Sequence, residues 1–396
     1  MSVNRKLFYD FIAQTSEQAL GLEVDHASGI YIYDKDGKAY MDLNSGISVS
    51  SLGHSHPSIV EAVALQASKY MHTMVYGEHI QEPQTRYAEL LFRFLDKRLN
   101  NIYFVNSGTE AVEGALKLAR KYTGRYEIIS AAGAYHGSTI AAEALRSDIS
   151  FTKSFMPTVP GVRHIRFNNE EDLDKITEKT ACVIMEPVQA EGGILIPAEN
   201  YLQKVQEKCH QTGALFILDE IQTGFGRTGF FFAHQKYQVV PDVLLLAKAM
   251  GGGMPVGAFI APRHMMSVLA KNPMLGHITT FGGHPVCIAG ALAALRILAE
   301  DSVICHVSGK EALFKKLLQH PAIAEVRSSG LMMAVELRRH EWLTPVISRA
   351  FQEGIIVDYF LFDSKSFRIA PPLIISENEI AEACKRLLII FDEICV

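Results

Sequence analysis

The sequence lacks the features that mark membrane, secreted and nucleic-acid-binding chains. Its longest apolar runs, such as residues 239–246, are far shorter than the roughly 20 residues that a membrane-spanning helix needs. Residues 1–19 mix charged and apolar side chains and contain no signal-peptide core. The net charge is −5, from 38 basic and 43 acidic residues, and gives no indication of a nucleic-acid or membrane partner. We therefore expect a cytoplasmic protein.

The cysteines show no spacing typical of a disulfide framework or a zinc site. No two of them form a C-x-x-C pair, and no cluster of His, Cys and Asp has the spacing of metal ligands. Scattered cysteines of this kind indicate reduced thiols in a cytosolic protein, and we expect no bound metal. The cysteines are Cys182, Cys209, Cys287, Cys305, Cys384 and Cys395.

Strand-like and helix-like segments alternate through the middle of the 396-residue chain. Residues 214–219 (ALFILD) and 243–247 (VLLLA) are continuously apolar up to the end of the run, a pattern typical of parallel strands that are covered on both faces. The alternation indicates βαβ units and a largely parallel sheet. The predicted strands are 102–106, 127–131, 181–186, 214–219, 243–246 and 256–261, and the predicted helices are 110–122, 139–145 and 201–211.

The two ends of the chain have a different pattern. Residues 29–42 predict a β-hairpin with its turn at 34–37 (DKDG). After residue 288, long helical segments alternate with short strands at 330–337 and 367–370. The length of the chain favours one large and one smaller domain. The predicted domains are a large one, 50–285, and a small one made from 1–49 and 286–396.

Polar segments follow several predicted strands, where open parallel sheets bind their ligands. Residues 106–110 (NSGTE) follow one strand and open a helix, whose free N–H groups and partial positive charge suit a phosphate. Ser107 and Thr109 would add hydroxyl donors, and Gly108 would let an anion approach. Ser107 and Glu110 also match a capping box, which begins a helix without binding a ligand, so both interpretations stay open.

Two further strand ends carry polar residues. Within residues 133–138 (GAYHGS), Tyr135 could stack on a flat ring, which contributes about 0.5–1.5 kcal/mol beyond burial, or could be an ordinary packed tyrosine. His136 alone decides nothing. Asp219 ends the most apolar strand, where a carboxylate is costly to bury unless it meets a cation. It could pair with a protonated ring nitrogen, cap a helix or bind a metal.

Residues 224–229 (GFGRTG) fit the G-x-G-x-x-G pattern of dinucleotide sites. In such sites a helix opens within the motif, whereas here three phenylalanines, 230–232, follow without a clear helix start. We therefore reject a dinucleotide site and predict a glycine-rich turn.

Lys248 is the most informative residue of the chain. It comes directly after an apolar run and before three glycines, 251–253. Burial there would lower the pKa of the amine and leave it able to attack a carbonyl, as a Schiff-base lysine requires. For one lysine taken alone, a side chain that extends to solvent is the ordinary alternative.

Taken together, these segments resemble the class III aminotransferases, which share the aspartate aminotransferase fold. The resemblance extends from about residue 21 to the C-terminus. It implies an α/β protein of the pyridoxal-phosphate-dependent transferase fold type I, with a large, mostly parallel sheet domain and a smaller α/β domain formed by both chain ends. The motifs that carry it are NSGTEAVEGALKLAR, AYHGS, MEPVQAEGG, LDEIQTGFGRTG, KAMGGGMPVGA, TTFGGHP and FRIAPPL, in this order.

The resemblance implies a pyridoxal-5′-phosphate-dependent aminotransferase of amino-acid metabolism and assigns roles to its residues. Lys248 would carry the cofactor as a Schiff base and then act as general acid and base, and Asp219 would keep the ring nitrogen protonated. Family sites lie at a homodimer interface, so Thr280 would reach the phosphate in the neighbouring subunit. The other cofactor-binding residues would be Ser107, Gly108 and Thr109 at the phosphate, Tyr135 and Ile221 on the ring faces, Gln222 at the phenolic oxygen, and His136 and Glu186.

The resemblance also suggests the substrates. Arg368 matches the family arginine that binds the α-carboxylate of glutamate or 2-oxoglutarate, and Glu191 matches a glutamate that pairs with it when the carboxylate is absent. Such a switch would let one pocket serve an acetylornithine- or ornithine-like ω-amino donor and 2-oxoglutarate in a ping-pong reaction, whereas a fixed salt bridge would not. Ser138 would line the substrate pocket, but acetylornithine and ornithine members usually carry arginine there. His284 replaces a common asparagine.

Other functions stay open on the same residues. An aminomutase, racemase or decarboxylase would share Lys248 and Asp219, and the donor could be 4-aminobutyrate, lysine or a diamine. Arg368 with Glu191 favours an aminotransferase, because a racemase or mutase needs no removable second carboxylate site. A catalytically silent binding or regulatory protein is the third alternative, and the complete set of cofactor residues argues against it.

Overall fold

The computed structural model describes residues 2–17, 19–300 and 303–395. Within these ranges no helix is both long and apolar enough to cross a membrane. The strands are β1 (Val24–Ser28), β2 (Tyr31–Asp34), β3 (Ala39–Asp42), β4 (Asn101–Val105), β5 (Glu127–Ala131), β6 (Val162–Ile165), β7 (Thr180–Met185), β8 (Leu215–Asp219), β9 (Val243–Leu246), β10 (Gly257–Ala261), β11 (Ile323–Ser328), β12 (Met333–Leu337), β13 (Ile355–Ile356), β14 (Asp358–Tyr359) and β15 (Ser366–Ile369). The helices are α1 (Val3–Phe11), α2 (Ser45–Ser48), α3 (Pro57–Lys69), α4 (Glu82–Leu91), α5 (Gly108–Thr123), α6 (Ile140–Ala144), α7 (Ile149–Thr152), α8 (Tyr201–Thr212), α9 (Ala233–Lys236), α10 (Arg263–Met266), α11 (Pro285–Glu300), α12 (Val307–Leu317), α13 (Leu343–Gln352) and α14 (Glu377–Ile394).

The centre of the described structure is a seven-stranded sheet with the order β4-β10-β9-β8-β7-β5-β6. All neighbouring pairs from β9 to β6 are parallel, and β10 runs antiparallel to both β4 and β9. The predicted largely parallel sheet is confirmed, and so is the burial of β8 and β9 at every residue. The reversal of β10 had no counterpart in the sequence, because a strand buried on both faces is apolar in either direction.

Helix α5 illustrates how local sequence sets an element that later carries the site. Its N-terminus is capped by Ser107, whose Oγ accepts a hydrogen bond from the amide of Glu110. It ends at Gly124, which adopts the left-handed conformation with φ +69° that favours glycine. Between the caps an apolar face is buried, and the helix packs on β9 and β10. The cap therefore fixes the start of α5 at the carboxyl edge of the sheet.

Two smaller sheets combine strands from the ends of the chain. Their orders are β1-β2-β3-β13 and β11-β12-β15-β14. In the first sheet β3 pairs in parallel with β13, so that Met41 lies opposite Ile355. The predicted hairpin is confirmed as β2 and β3, and the amides of Asp36 and Lys38 both donate to Oδ1 of Asp34 in its turn. The domain limits at residues 50 and 285 stay a prediction.

The GFGRTG segment is a turn that anchors a buried arginine. Residues 221–228 form consecutive turns and no helix opens there, which confirms the predicted glycine-rich turn. The side chain of Arg227 is fully buried and donates to the carbonyl oxygens of Leu331 (2.9 Å) and Pro371 (2.5 Å) and to Oγ of Ser51 (3.1 Å). Burial lowers the pKa of Arg227 to about 9. This one guanidinium thus joins the N-terminal segment, the turn and the C-terminal segment.

The α2 segment is a left-handed turn rather than an ordinary helix. Its residues Ser45, Gly46, Ile47 and Ser48 have φ values of +48°, +60°, +59° and +64°. For L-residues this conformation costs about 1–2 kcal/mol each. Hydrogen bonds hold it, since Ser45 donates through its amide to Oδ1 of Asp42 (2.8 Å) and through Oγ to the carbonyl of Ala370 (2.6 Å). The turn places Ser48 next to Gln222, which donates to its Oγ at 3.5 Å.

Candidate active site

The carboxyl ends of β4, β5, β7, β8 and β9 surround one cavity of about 690 Å³. These ends lie on the same edge because the strands from β5 to β9 run in parallel and β4 shares their direction through the antiparallel β10. Small-molecule sites have volumes of roughly 300–1,000 Å³. The cavity is lined by these predicted residues: Ser107, Gly108, Thr109, Tyr135, His136, Ser138, Glu186, Glu191, Asp219, Ile221, Gln222 and Lys248.

Thr280 and Arg368 are the predicted residues outside this lining. Thr280 is exposed, and its carbonyl oxygen lies 2.9 Å from Nε2 of His72. Arg368 lies behind Glu191 in β15. The segment 71–84, with Tyr76, lines a separate cavity of about 750 Å³ on the outside of β4. In the single chain that segment therefore does not shape the cavity of Lys248.

Lys248 is partly buried and short of polar partners. Its Nζ donates one hydrogen bond, to Oε1 of Gln222 at 3.2 Å. Burial disfavours the ammonium form and lowers the pKa of Lys248 to about 8, although Glu191 and Asp219 act in the opposite direction. The backbone of Lys248 is left-handed, with φ +50°. A substantial fraction of this amine is therefore neutral near physiological pH and can act as a nucleophile or a base.

Asp219 is held in place by a histidine. Its Oδ2 lies 2.6 Å from Nδ1 of His136, and its Oδ1 accepts from the amide of Ile221 at 2.9 Å. Both side chains are almost fully buried. Spacing could not have predicted this pair, because the two residues lie 83 positions apart, His136 in the loop after β5 and Asp219 at the end of β8. The contact orients the carboxylate at the cavity wall.

Glu186 adds a second buried carboxyl group. Its Oε1 accepts from the amide of Ala190 at 3.1 Å, and its Oε2 has no hydrogen-bond partner among the described residues. Burial raises the pKa of Glu186 well above its usual range, and the neighbouring Asp219 raises it further. Burial therefore favours the protonated form of Glu186, which can donate a hydrogen bond into the cavity.

The start of α5 forms an anion cradle at one end of the cavity. Glu110 does not complete the capping box, since its carboxylate accepts from the amide of Asn106 (2.6 Å) instead of that of Ser107. Oγ1 of Thr109 lies 2.7 Å from Oγ1 of Thr139. Gly137 has φ +126°, and a Cβ there would overlap Thr109. The glycine thus permits the loop after β5 to approach the N-terminus of α5 closely. The Thr109 hydroxyl lies there, at a place where an anion binds favourably.

Glu191 and Arg368 form a closed, buried ion pair. Nη2 of Arg368 donates to Oε1 of Glu191 at 2.5 Å, and the amide of Leu361 donates to Oε2 at 3.1 Å. The guanidinium lies over the ring of Phe360, 4.7 Å from its centroid. Nε of Arg368 is buried without a partner among the residues described. The pair is therefore incompletely satisfied on the arginine side, and Glu191 presents it to the cavity.

Arg146 is a cation near the site that sequence reasoning missed. Its Nη2 donates to Oγ of Ser138 at 2.9 Å, and its guanidinium lies 4.8 Å from the centroid of the Tyr135 ring. Its position in the sequence, eight residues after Ser138 and beyond a short helix, gave no indication of this contact. Where a motif lacks an expected arginine, an arginine shortly after the next helix is the signal that could have found it.

Comparisons with known proteins show the family of this chain. The family model for aminotransferase class-III matches residues 11–391. An acetylornithine aminotransferase from Methanopyrus kandleri is 39% identical over 362 residues, which cover 91% of this chain and 91% of the relative. A putrescine aminotransferase from Pectobacterium atrosepticum is 38% identical over 372 residues, covering 89% and 79%.

Solved structures show the same relationship in the fold. An ornithine aminotransferase from Toxoplasma gondii has a TM-score of 0.90 at 28% identity, covering 98% of this chain and 94% of that chain. A transaminase from the marine bacterium Virgibacillus has a TM-score of 0.92 at 27% identity, covering 99% and 98%. The resemblance inferred from the motifs and the fold type I class are confirmed. The chain belongs to the class III aminotransferases.

Proposed function

We propose that the protein is a pyridoxal-5′-phosphate-dependent aminotransferase that moves an amino group from an ω-amino donor to 2-oxoglutarate in two half-reactions through Lys248. The observation that carries this proposal is the Glu191–Arg368 pair at the cavity of Lys248. An arginine masked by a glutamate offers a carboxylate site that opens when the carboxylate of a substrate displaces the glutamate. For a donor that has no carboxylate next to its reacting amine, the site stays closed. A single pocket then accepts both substrates.

The residues of the cavity fit the proposed cofactor. Two buried polar atoms in its wall, Oε2 of Glu186 and Nε2 of His136, have no hydrogen-bond partner among the described residues, which is costly unless a ligand supplies one. The anion cradle at Ser107–Thr109 would hold the phosphate. Asp219 would face the ring nitrogen, Tyr135 and Ile221 the ring faces, and Gln222 the phenolic oxygen.

Pyridoxal phosphate supplies an aldehyde and an electron-accepting ring when bound. The chain supplies the remaining groups. Lys248 offers a neutral amine and afterwards a base that takes a proton at Nζ and returns it. Asp219, oriented by His136, keeps a proton on the ring nitrogen by its charge. Glu186, whose pKa burial raises well above its usual range, would in its protonated form donate a hydrogen bond without adding charge.

The pH dependence of cofactor uptake tests the state of Lys248. Since the pKa of Lys248 is lowered to about 8, the neutral amine fraction should rise about tenfold per pH unit below that value and level off above it. Mixing the cofactor-free protein with pyridoxal phosphate and following the visible absorbance should show this profile. Free Nα-acetyl-lysine is the control, because its rate should keep rising towards a pKa of about 10.4. If the rate of cofactor uptake by the protein also keeps rising beyond pH 9, the lowered pKa of Lys248 is contradicted.

The class of amino donor is proposed from the names of two relatives and from the residues that line the cavity. Two relatives are named for acetylornithine and putrescine, and both names denote molecules with a terminal primary amine. Arg368 would bind the α-carboxylate of 2-oxoglutarate with its planar fork of donors. Ser138 lines the same cavity and would face the end of the donor that does not react.

A spectroscopic titration tests this function directly. The purified, cofactor-loaded protein is titrated with one amine at a time and no acceptor: ornithine, N-acetylornithine, lysine, 4-aminobutyrate, putrescine, aspartate or glutamate. We expect the visible band to be converted by glutamate and by at least one ω-amine. Conversion by glutamate alone would contradict the ω-amino donor. A band that no amine converts would favour a mutase, racemase or decarboxylase.

We also propose a cytoplasmic homodimer with active sites shared between subunits. Thr280 is exposed on a segment with several exposed apolar side chains, among them Met274 (79% exposed) and Phe281 (54% exposed). Burial of such a patch against a second copy would bring Thr280 towards the phosphate in the neighbouring subunit. The division into a large domain, 50–285, and a small domain from both chain ends is part of the same proposal.

A further inference from the structure

The guanidinium of Arg146 lies in a place that its known contacts do not explain. The side chain is only 8% exposed, and a buried charge is costly unless it is paired and fully hydrogen-bonded. Its acidic neighbour is Glu143, with Nε 3.3 Å from Oε2. That contact lacks hydrogen-bond geometry, because Nε of Arg146 and Oε1 of Glu143 are both buried without a hydrogen-bond partner among the described residues. The charge of Arg146 is therefore only partly compensated.

The partly compensated guanidinium of Arg146 lies next to two residues that line the cavity. Its Nη2 donates to Oγ of Ser138 (2.9 Å) and to the carbonyl of Gly137 (3.4 Å), and no hydrogen bond from Nη1 occurs within the described part of the chain. The guanidinium lies over the rings of Tyr135 (4.8 Å) and Phe151 (5.5 Å). Tyr135 and Ser138 line the cavity. Two aromatic rings thus hold the cation beside the cavity mouth.

Hydrogen-bond donors converge at this point. Oγ of Ser138 accepts from Arg146 and lies 3.3 Å from the hydroxyl of Tyr135, and either hydroxyl can be the donor in that second contact. One of the two hydroxyl protons is therefore free to donate to a ligand. A guanidinium and two hydroxyl groups are the chemistry of a carboxylate-binding site. The nearest acid, Glu143, lies along α6 and contacts Nε rather than the Nη atoms.

The same corner is connected to the Glu191–Arg368 pair. Phe151, on which the guanidinium of Arg146 lies, packs edge-to-face on Phe362 with centroids 5.5 Å apart. The amide of Phe362 donates to the carbonyl of Glu191 at 3.0 Å. Ser138 and Glu191 also line the same cavity, so a donor held at Arg146 would lie in the cavity that Glu191 borders.

We propose that Arg146, together with Ser138 and Tyr135, forms a carboxylate subsite at the cavity mouth, so that the amino donor is an ω-amino acid and not a diamine. This inference rests on the proposed aminotransferase function and names its donor class. In place of the arginine that Ser138 replaces, Arg146 is supplied here from the loop between α6 and α7. The competing interpretation is that Arg146 has a structural role only and holds Tyr135 in place.

Donor pairs that differ only in a carboxylate separate the two interpretations. Suitable pairs are N-acetylornithine with N-acetylputrescine, and ornithine with putrescine. We measure kcat/KM of the donor half-reaction by single-turnover absorbance, with the cofactor-loaded protein and Arg146→Met, which keeps the length of the stem. Loss of a charge-assisted hydrogen-bond pair should lower kcat/KM about 10- to 100-fold for the carboxylate member and less than about threefold for its partner.

The controls make each outcome decisive. Arg163→Met removes an exposed arginine that pairs with Glu127 (3.7 Å) and should leave both members of each pair unchanged. If Arg146→Met does not fold, Arg146→Lys keeps the charge and should still weaken the carboxylate member selectively. Equal losses of kcat/KM for both members of a pair would overturn the subsite in favour of a structural role of Arg146. A wild-type protein that prefers the diamines would also overturn the subsite.

The failure of this inference can be told from that of the proposed function. Glutamate is anchored by Arg368 at its α-carboxylate in the scheme above, whether or not its second carboxylate also contacts Arg146. If glutamate converts the visible band but no carboxylate preference exists among the ω-amines, only the Arg146 subsite is wrong. If no amine converts the band, glutamate included, the aminotransferase proposal itself fails.

Discussion

Replacement of Lys248 by alanine is expected to lower kcat by about 10⁴-fold or more while the protein still binds pyridoxal phosphate. The amine is the neutral nucleophile and base of the cavity, and its Nζ has one polar contact, at Gln222. The cradle of Ser107 and Thr109 and the carboxylate of Asp219 remain in the variant. Since burial opposes the ammonium form, its removal should not lower the thermal midpoint. Steady-state transamination and visible absorbance of the loaded variant measure both effects.

Lys310→Ala is the matched control for that substitution. Lys310 is another partly buried lysine whose pKa burial lowers, and its Nζ donates to the carbonyl of Leu373 at 2.6 Å, outside the cavity. This variant should keep transamination within about threefold of wild type, as expected for a change away from reacting groups. Full activity in Lys248→Ala, or an equal loss in both variants, would contradict the assignment of Lys248.

The parts of the fold that the sequence predicted are those that local chemistry determines. The helix after β4 was predicted because Ser107 and Glu110 have the spacing of a capping box, and the hairpin because DKDG is a turn sequence. Strands β8 and β9 were predicted from their continuous apolar runs. Each of these signals lies within about ten neighbouring residues, so no knowledge of the tertiary structure was needed.

The parts that could not be predicted depend on contacts between distant residues. The left-handed turn of Ser45–Ser48 contradicts the preference of serine and isoleucine for negative φ, and it exists because Asp42 and Ala370 bind Ser45. The Asp219–His136 contact and the approach of Arg146 to Tyr135 likewise need the sheet to be assembled first. Lys248 could be identified from the residues beside it in the sequence. Its low number of polar partners could not be predicted in this way.

A second large effect is expected at Arg368. Arg368→Ala should lower kcat/KM for 2-oxoglutarate by about 10²- to 10³-fold, because truncation of a buried, hydrogen-bonded charge pair costs 2–5 kcal/mol in binding. The half-reaction with an ω-amine should change much less, since in our proposal Arg368 is masked by Glu191 at that stage. Single-turnover absorbance with each substrate alone separates the two half-reactions. Normal acceptor kinetics in this variant would remove Arg368 from the carboxylate site.

Glu191→Gln distinguishes a switch from a fixed salt bridge. Glutamine keeps the shape of the side chain but removes the charge that masks Arg368 at 2.5 Å. In a switch, 2-oxoglutarate should bind equally well or more tightly, because no glutamate competes for the guanidinium, and the ω-amine half-reaction should slow because an uncompensated cation now faces a donor that is itself a cation. In a fixed bridge, the substitution would weaken both half-reactions alike through loss of stability. Opposite effects of one substitution on the two half-reactions therefore identify the pair as the element that lets one cavity serve two substrates.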